Sequence, residues 1–357
     1  MLTEKLQEIL DERAQKDALR SLHISEGLID FCSNDYLGFA QKNQLVDSAH
    51  GSSGSRLISG QHRIHEEAEQ HIAAFHQVEA ALIFNSGYDA NLSFFSCVPQ
   101  KEDTVIYDQL CHASIRDGLR LGSARNFSFK HNDVEDLKQK LSKTQGTVFV
   151  VAESIYSMDG DPAPLAIIAQ LCQEQGAHLI VDEAHSTGIF GEKGEGLCQE
   201  LGIIPFARIH TFGKALGGHG AAIVGSQTLK DYLINFARPF IYTTALPPQS
   251  VAVIQQAYNE LPNCPERNQL QQNIVLFKQL LQHPHLIVSD SPIQSIVIGG
   301  NKKTKDIAQG LQSKGLDVRP ILHPTVAEGT ERIRICLHSF NAQAEIALLC
   351  EQLKALL

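Results

Sequence analysis

Hydrophobic residues recur along the chain in two rhythms. Near the start, Leu6, Ile9, Leu10, Ala14 and Ala18 recur at helical spacing, which predicts an amphipathic helix over 3–22. An apolar run at 28–31 predicts a short strand, and the polar cluster Cys32-Ser33-Asn34-Asp35-Tyr36-Leu37-Gly38 predicts a loop. Gly51-Ser52-Ser53-Gly54-Ser55-Arg56 reads as a donor-rich loop or, on composition alone, equally as a linker, and a helix over 63–76 follows. From about 80 to 245 short apolar runs alternate with helical stretches. Runs at 81–84, 104–107, 147–151, 178–181, 209–211 and 221–224 predict the strands of an open, mostly parallel α/β sheet. After Pro247-Pro248, a helix over 249–260 leads to a smaller α+β segment with strands near 286–289, 294–298 and 332–336 and helices near 304–314 and 341–356. The expected organisation is an N-terminal segment (1–37), a large domain (38–247) and a small C-terminal domain (248–357).

Composition narrows the function classes. The 357 residues are 43% hydrophobic and 20% charged, as in an ordinary soluble enzyme. A formal charge of -10 argues against nucleic acid as the main partner. No run of about 18 apolar residues suits a membrane span, and the first residues continue into a charged helix instead of a signal core. Eight cysteines lie scattered without a Cys-x-x-Cys pair, so neither a zinc site nor a disulfide framework is expected, and a reducing cytoplasm fits best.

The chain is organised around two stretches. Ile209-His210-Thr211-Phe212-Gly213-Lys214-Ala215-Leu216-Gly217-Gly218 holds a lysine between glycines. His178-Leu179-Ile180-Val181-Asp182-Glu183-Ala184-His185 is an apolar run ending in polar groups, the way a buried strand delivers chemistry to a sheet edge. A lysine for a Schiff base and an aspartate for a pyridinium nitrogen are the protein groups that pyridoxal phosphate chemistry requires. Simpler readings stand beside this one. Lys214 would serve as a surface lysine, and Asp182 as a helix cap. The acid-acid-alanine-histidine run would serve as a metal site or a nucleotide-hydrolysing box, although the phosphate loop the latter needs is missing. Asn85-Ser86-Gly87-Tyr88-Asp89-Ala90-Asn91, between a strand and a helix, suits a phosphate, as do many turns that bind nothing. His112 suits stacking on a planar cofactor or, more blandly, a satisfied loop position.

Five motifs fall in the order found in one family: Ser33-Asn34-Asp35-Tyr36-Leu37-Gly38, Ser157-Met158-Asp159-Gly160-Asp161, Asp182-Glu183-Ala184-His185, Thr211-Phe212-Gly213-Lys214 and Arg332-Ile333-Arg334. Together they resemble the α-oxoamine synthases, fold-type-I pyridoxal phosphate enzymes that join an amino acid to an acyl thioester with loss of carbon dioxide. The resemblance runs from about Leu6 to the C-terminus, and the stretch between Gly38 and Gly51 is shorter than usual for the family. It implies a large domain with a mostly parallel sheet, a smaller C-terminal α+β domain, and a homodimer with shared active sites. Asp161-Pro162-Ala163-Pro164-Leu165 and residues 237–248, which include Tyr242-Thr243-Thr244, resemble the biotin-pathway branch, whose substrates are L-alanine and a pimeloyl thioester. The thioester is carried on coenzyme A or on acyl carrier protein.

Roles follow from the resemblance. Lys214 carries the cofactor and moves the substrate α-proton, Asp182 holds the pyridine nitrogen protonated, and His112 stacks on the ring. His185 hydrogen-bonds the phenolic oxygen of the ring, and Ser157 also contacts the cofactor. Gly87, Tyr88 and Thr211 suit the phosphate, with Thr243 and Thr244 reaching it from a neighbouring subunit. Arg334 clamps the amino acid carboxylate. Arg20, Asn34 and Thr325, with His112, contact substrate. A sister synthase using glycine or serine, and an aminotransferase on the same fold, are the rival readings.

Overall fold

The computed structural model describes residues 2–42, 48–144 and 146–357. The chain falls into two compact units. The first gathers Met1–Tyr36, Met158–Asp161 and Asn268–Leu357; the second comprises Leu37–Ser157 and Pro162–Arg267.

The first unit begins with helix α1 (Leu2–Gln15) and the short strand β1 (Ile29–Asp30). The helix expected over 3–22 therefore stops early, for a local reason. Asp17 takes a left-handed φ of 52°, Ala18 N–H bonds back to Arg13 and Asp17 N–H to Ala14. That is a Schellman end, built on an aspartate where glycine is usual.

The second unit is built on seven strands: β2 (Ala80–Phe84), β3 (Thr104–Asp108), β4 (Arg125–Phe129), β5 (Val148–Glu153), β6 (His178–Asp182), β7 (Ala207–Thr211) and β8 (Ala221–Gly225). Their order is β2-β8-β7-β6-β5-β3-β4, and β8 runs antiparallel to both its neighbours while the other pairs are parallel. The mostly parallel α/β sheet expected from the sequence is thus present. Strand β4 gave no sequence signal because it is an edge strand whose first four residues are exposed. Around the sheet lie α2 (Arg63–Phe75), α3 (Gly87–Cys97), α4 (Ala113–Leu121), α5 (Val134–Leu141) and α6 (Leu165–Gln175). Phe94, Phe95 and Ile115 from the helices bury completely against Val151, Ile180 and Ile209 of the strands. Each such side chain contributes about 1.5–3 kcal/mol when fully buried.

The rest of the first unit contains β9 (Ile293–Val297), β10 (Leu316–Asp317), β11 (Arg319–Ile321) and β12 (Arg332–Cys336). β11-β12-β9 form an antiparallel sheet, and β1 pairs in parallel with β10. Helices Asn301–Gln312 and Gln343–Leu356 bury Ile307, Leu311, Ile346, Leu349 and Leu353. The run near 286–289 forms a single bridge from Leu286 to Ile296 instead of a strand. Ser289 and Ser291 there bond the Gly160 carbonyl, and Val288 lies in solvent. Of the short stretch between Gly38 and Gly51, residues 43–47 lie outside the described residues.

Candidate active site

The carboxyl ends of adjacent parallel strands bring polar groups to one edge of the sheet, where open α/β sheets bind ligands. β5 ends at Glu153 and β6 at Asp182, and the two lie opposite each other in register. Asp182 is buried and accepts two hydrogen bonds, from Asn91 Nδ2 at 2.8 Å and from the Ala184 N–H at 2.9 Å. Three residues beyond Asp182, the buried His185 places Nε2 2.9 Å from Lys214 Nζ.

Lys214 follows β7 in a tight turn. Phe212 N–H bonds to Gly220, Gly218 N–H to Phe212 and Gly217 N–H to Lys214. Gly217 sits at φ 60°, and a Cβ there would strike the backbone of Phe39 and Ala40, so this turn requires glycine. Its half-buried lysine is held between a rigid strand end and a glycine hinge.

Helix α3 starts just past β2. Ser86 caps it by accepting from Asp89 N–H at 3.0 Å, and the first helical residues are Gly87 and Tyr88. Early N–H groups of a helix lack intrahelical partners and favour anions. A Cβ on Gly87 would come within 2.6 Å of Thr211 Oγ1, so glycine lets this helix start approach the end of β7. His112 caps α4; its Nδ1 bonds Ser114 Oγ at 2.8 Å. Desolvation, with the nearby Lys214 charge, holds the pKa of this imidazole below its ordinary value.

Eight sequence-predicted residues, Gly87, Tyr88, His112, Ser157, Asp182, His185, Thr211 and Lys214, line one cavity of about 180 Å³, together with Asn91, Glu153 and Ala184. An amine, two buried carboxyl groups, two imidazoles and a helix start meet there. This donor set fits a small ligand carrying an aldehyde, a basic ring nitrogen and a phosphate. Thr243 and Thr244 lie elsewhere in the same unit, where Asn85 Nδ2 donates to Thr243 Oγ1 at 3.1 Å and to the Thr244 carbonyl at 2.8 Å.

The remaining predicted residues belong to the first unit and meet in two pairs. Arg334 Nη2 donates to Asn34 Oδ1 at 3.0 Å, and Tyr36 Oη donates to the same oxygen at 3.0 Å. Arg20 Nη2 donates to Thr325 Oγ1 at 3.1 Å on an exposed surface.

Residues 26–353 match the family model described as aminotransferase class I and II. The chain belongs to this family. It is 39% identical to a putative 8-amino-7-oxononanoate synthase of Bacillus licheniformis, over 98% of this chain and 97% of the relative. It is 38% identical to the 8-amino-7-oxononanoate synthase of Cellvibrio japonicus, over 95% and 90% of the two chains. Among solved structures, a serine palmitoyltransferase from S. paucimobilis with bound PLP and myriocin superposes at TM-score 0.91 and 27% identity, covering 100% of this chain and 98% of that one. The 8-amino-7-oxononanoate synthase of Francisella tularensis superposes at 0.79 and 31% identity, covering 92% and 98%. The likeness to α-oxoamine synthases carried by the five motifs is thereby borne out.

Within this class I and II aminotransferase chain, three residues in or beside the cavity were given no role of their own by the sequence. Asn91 Nδ2 donates to Asp182 and, at 3.1 Å, to Ser114 Oγ, so Ser114 and Asn91 link His112 to Asp182. Asn91 lies one helical turn after Gly87, on the same face of α3, which was the available signal. Glu153, buried at 3% exposure, accepts the backbone N–H of His112. Burial, and then the charge of Asp182, push its carboxyl up to about 8. It directly follows the apolar run 148–152, and the strand-end rule alone pointed to it.

Proposed function

We propose that the chain is a pyridoxal phosphate-dependent acyltransferase of the 8-amino-7-oxononanoate synthase type, condensing L-alanine with a pimeloyl thioester and releasing carbon dioxide. The observation that carries this reading is the convergence of Lys214, Asp182, His185 and the start of α3 on one cavity, in a chain near 40% identical along its length to relatives of that name. The residues suit the cofactor group by group: Lys214 for the aldehyde, Asp182 for the pyridine nitrogen, His185 for the phenolic oxygen, and Gly87, Tyr88 and Thr211 for the phosphate, with Ser157 also in contact with the cofactor.

When bound, the cofactor takes up the amino acid's nitrogen and accepts the electrons left at its α-carbon. The chain's own groups do the rest. Lys214, once released, takes the α-proton of alanine and later returns one. Asp182, fixed by Asn91 and the Ala184 N–H, keeps a proton on the ring nitrogen. His112 covers a ring face. Arg334 pairs with the amino acid carboxylate, where a guanidinium suits a bidentate bond. The alanine α-carbon attacks the thioester carbonyl, the thiol leaves, and the carboxylate departs as carbon dioxide. Arg20, Asn34 and Thr325 are proposed for the acyl donor.

The assembly is proposed to be a homodimer in which Thr243 and Thr244 reach the neighbour's cofactor phosphate. Coenzyme A and acyl carrier protein are both candidate carriers of the pimeloyl group. Eight free cysteines support a reducing, cytoplasmic setting; no described helix is long and apolar enough to cross a membrane. The serine palmitoyltransferase neighbours favour a second reading, with serine and a long acyl thioester. Titration of the purified protein with alanine, glycine and serine against pimeloyl, acetyl and palmitoyl thioesters tests it. The alanine–pimeloyl pair is expected to release thiol fastest, and a faster serine–palmitoyl pair refutes the assignment.

A further inference from the structure

Two carboxyl groups stand side by side in the lining of the cavity. β5 and β6 are adjacent parallel strands with Glu153 opposite Asp182; neighbouring strands run about 4.8 Å apart, and residues in register face the same side of the sheet. Both are buried, at 3% and 5% exposure. Two carboxyl groups so close in a low-dielectric setting do not both ionise readily. The hydrogen-bond donors around the two differ. Asp182 receives the Asn91 amide and the Ala184 N–H, whereas Glu153 receives the main-chain N–H of His112. The imidazole of the same His112 bonds Ser114, which Asn91 joins to Asp182. His112 is thus tied to one carboxyl through its backbone and to the other through its side chain.

We propose that Glu153 is a positioning residue that works as a neutral carboxylic acid: it fixes the His112 main chain beside the cavity and adds no negative charge beside Asp182. The inference rests on the pyridoxal phosphate reading of the same cavity. Glu153 faces Asp182 from β6, Lys214 beyond β7, Asp108 at the end of β3, Cys111 and His112 in the loop that follows, and Tyr156 past its own strand. Desolvation is the largest influence on its carboxyl and Asp182 the next, while Lys214 pulls the other way; the result is a value of about 8. Because that lies above the ordinary 4.5, the folded chain keeps a proton that the unfolded chain has lost. The associated stability is full below about pH 4.5 and is lost as pH rises to about 8.

The test compares wild type with Glu153→Gln and Glu153→Ala. Glutamine can accept the same N–H without a charge. Cofactor affinity, followed by absorbance from about pH 6 to 10, should agree within about threefold between wild type and Glu153→Gln at pH 7. Wild-type affinity should then weaken through about pH 8, and this limb should be missing from Glu153→Gln. Glu153→Ala should bind weakly at every pH. A Glu153→Gln protein of native melting temperature that binds tenfold or more weakly at pH 7, or that keeps the same alkaline limb, overturns the proposal. Infrared spectra of the full chain without added cofactor give a second measurement. A protonated-carboxyl band is expected at pH 7 in wild type and not in Glu153→Gln, and its absence from wild type overturns the proposal even if the variants misfold. Failure of wild type to bind pyridoxal phosphate at any pH would instead sink the function reading.

Discussion

At the scale of single residues, the site depends on a few side chains whose surroundings set their chemistry. Lys214 sits 2.9 Å from His185 Nε2 and lines the cavity floored by Asp182. Purified protein is expected to be yellow, and Lys214→Ala to lose the colour while retaining its melting temperature; a variant with an unchanged visible spectrum would remove Lys214 from its role. Asp182→Asn keeps the shape but not the charge that favours a protonated ring. Its kcat should fall by about 10²–10⁴-fold, the range for a positioned proton-transfer group, and a fall below tenfold would refute this part. Lys214 and Asp182 were legible in the sequence because each follows an apolar run with small or glycine neighbours. Glu153, Asn91 and Ser114 were not. Their link to Asp182 and His112 is made between α3, α4 and two strands, and a linear pattern does not record such bonds.

Among the elements, the strand ends and the start of α3 carry the site. The sequence pattern placed β5, β6 and β7 within about two residues because buried parallel strands read as continuous apolar runs. It missed β4, whose exposed Arg125 and Asn126 give no such run. It also overran α1, since an aspartate instead of a glycine takes the left-handed position at the helix end. Two glycines test this scale. Gly87→Ala puts a methyl against Thr211 Oγ1 and should weaken cofactor binding about tenfold, or 1.4 kcal/mol, with little change in melting temperature. Equilibrium titration with the cofactor checks it, and unchanged affinity counts against a phosphate at this helix start. Gly217→Ala forces a side chain into a positive φ and against the Phe39–Ala40 backbone. It should destabilise the fold by more than about 1 kcal/mol, measured by chemical denaturation.

For the molecule as a whole, the assembly and the reaction remain to be tested together. Thr243 and Thr244 are not among the residues lining the cavity of Lys214, and the proposed homodimer assigns them to the neighbour's site. Mixing inactive Lys214→Ala subunits with subunits disabled by Thr243→Ala and Thr244→Ala should restore activity above that of either parent. A fully active monomer by sedimentation would exclude shared sites. The central claim is the substrate pair, and product analysis tests it most directly. The protein is incubated with L-alanine and pimeloyl-coenzyme A, in parallel with serine and palmitoyl-coenzyme A, and the products are weighed by mass spectrometry. The account predicts 8-amino-7-oxononanoate from the first pair, with one equivalent of free thiol, and little or no condensation from the second. A keto-sphingoid product from serine, with none from alanine and pimeloyl donor, would contradict it.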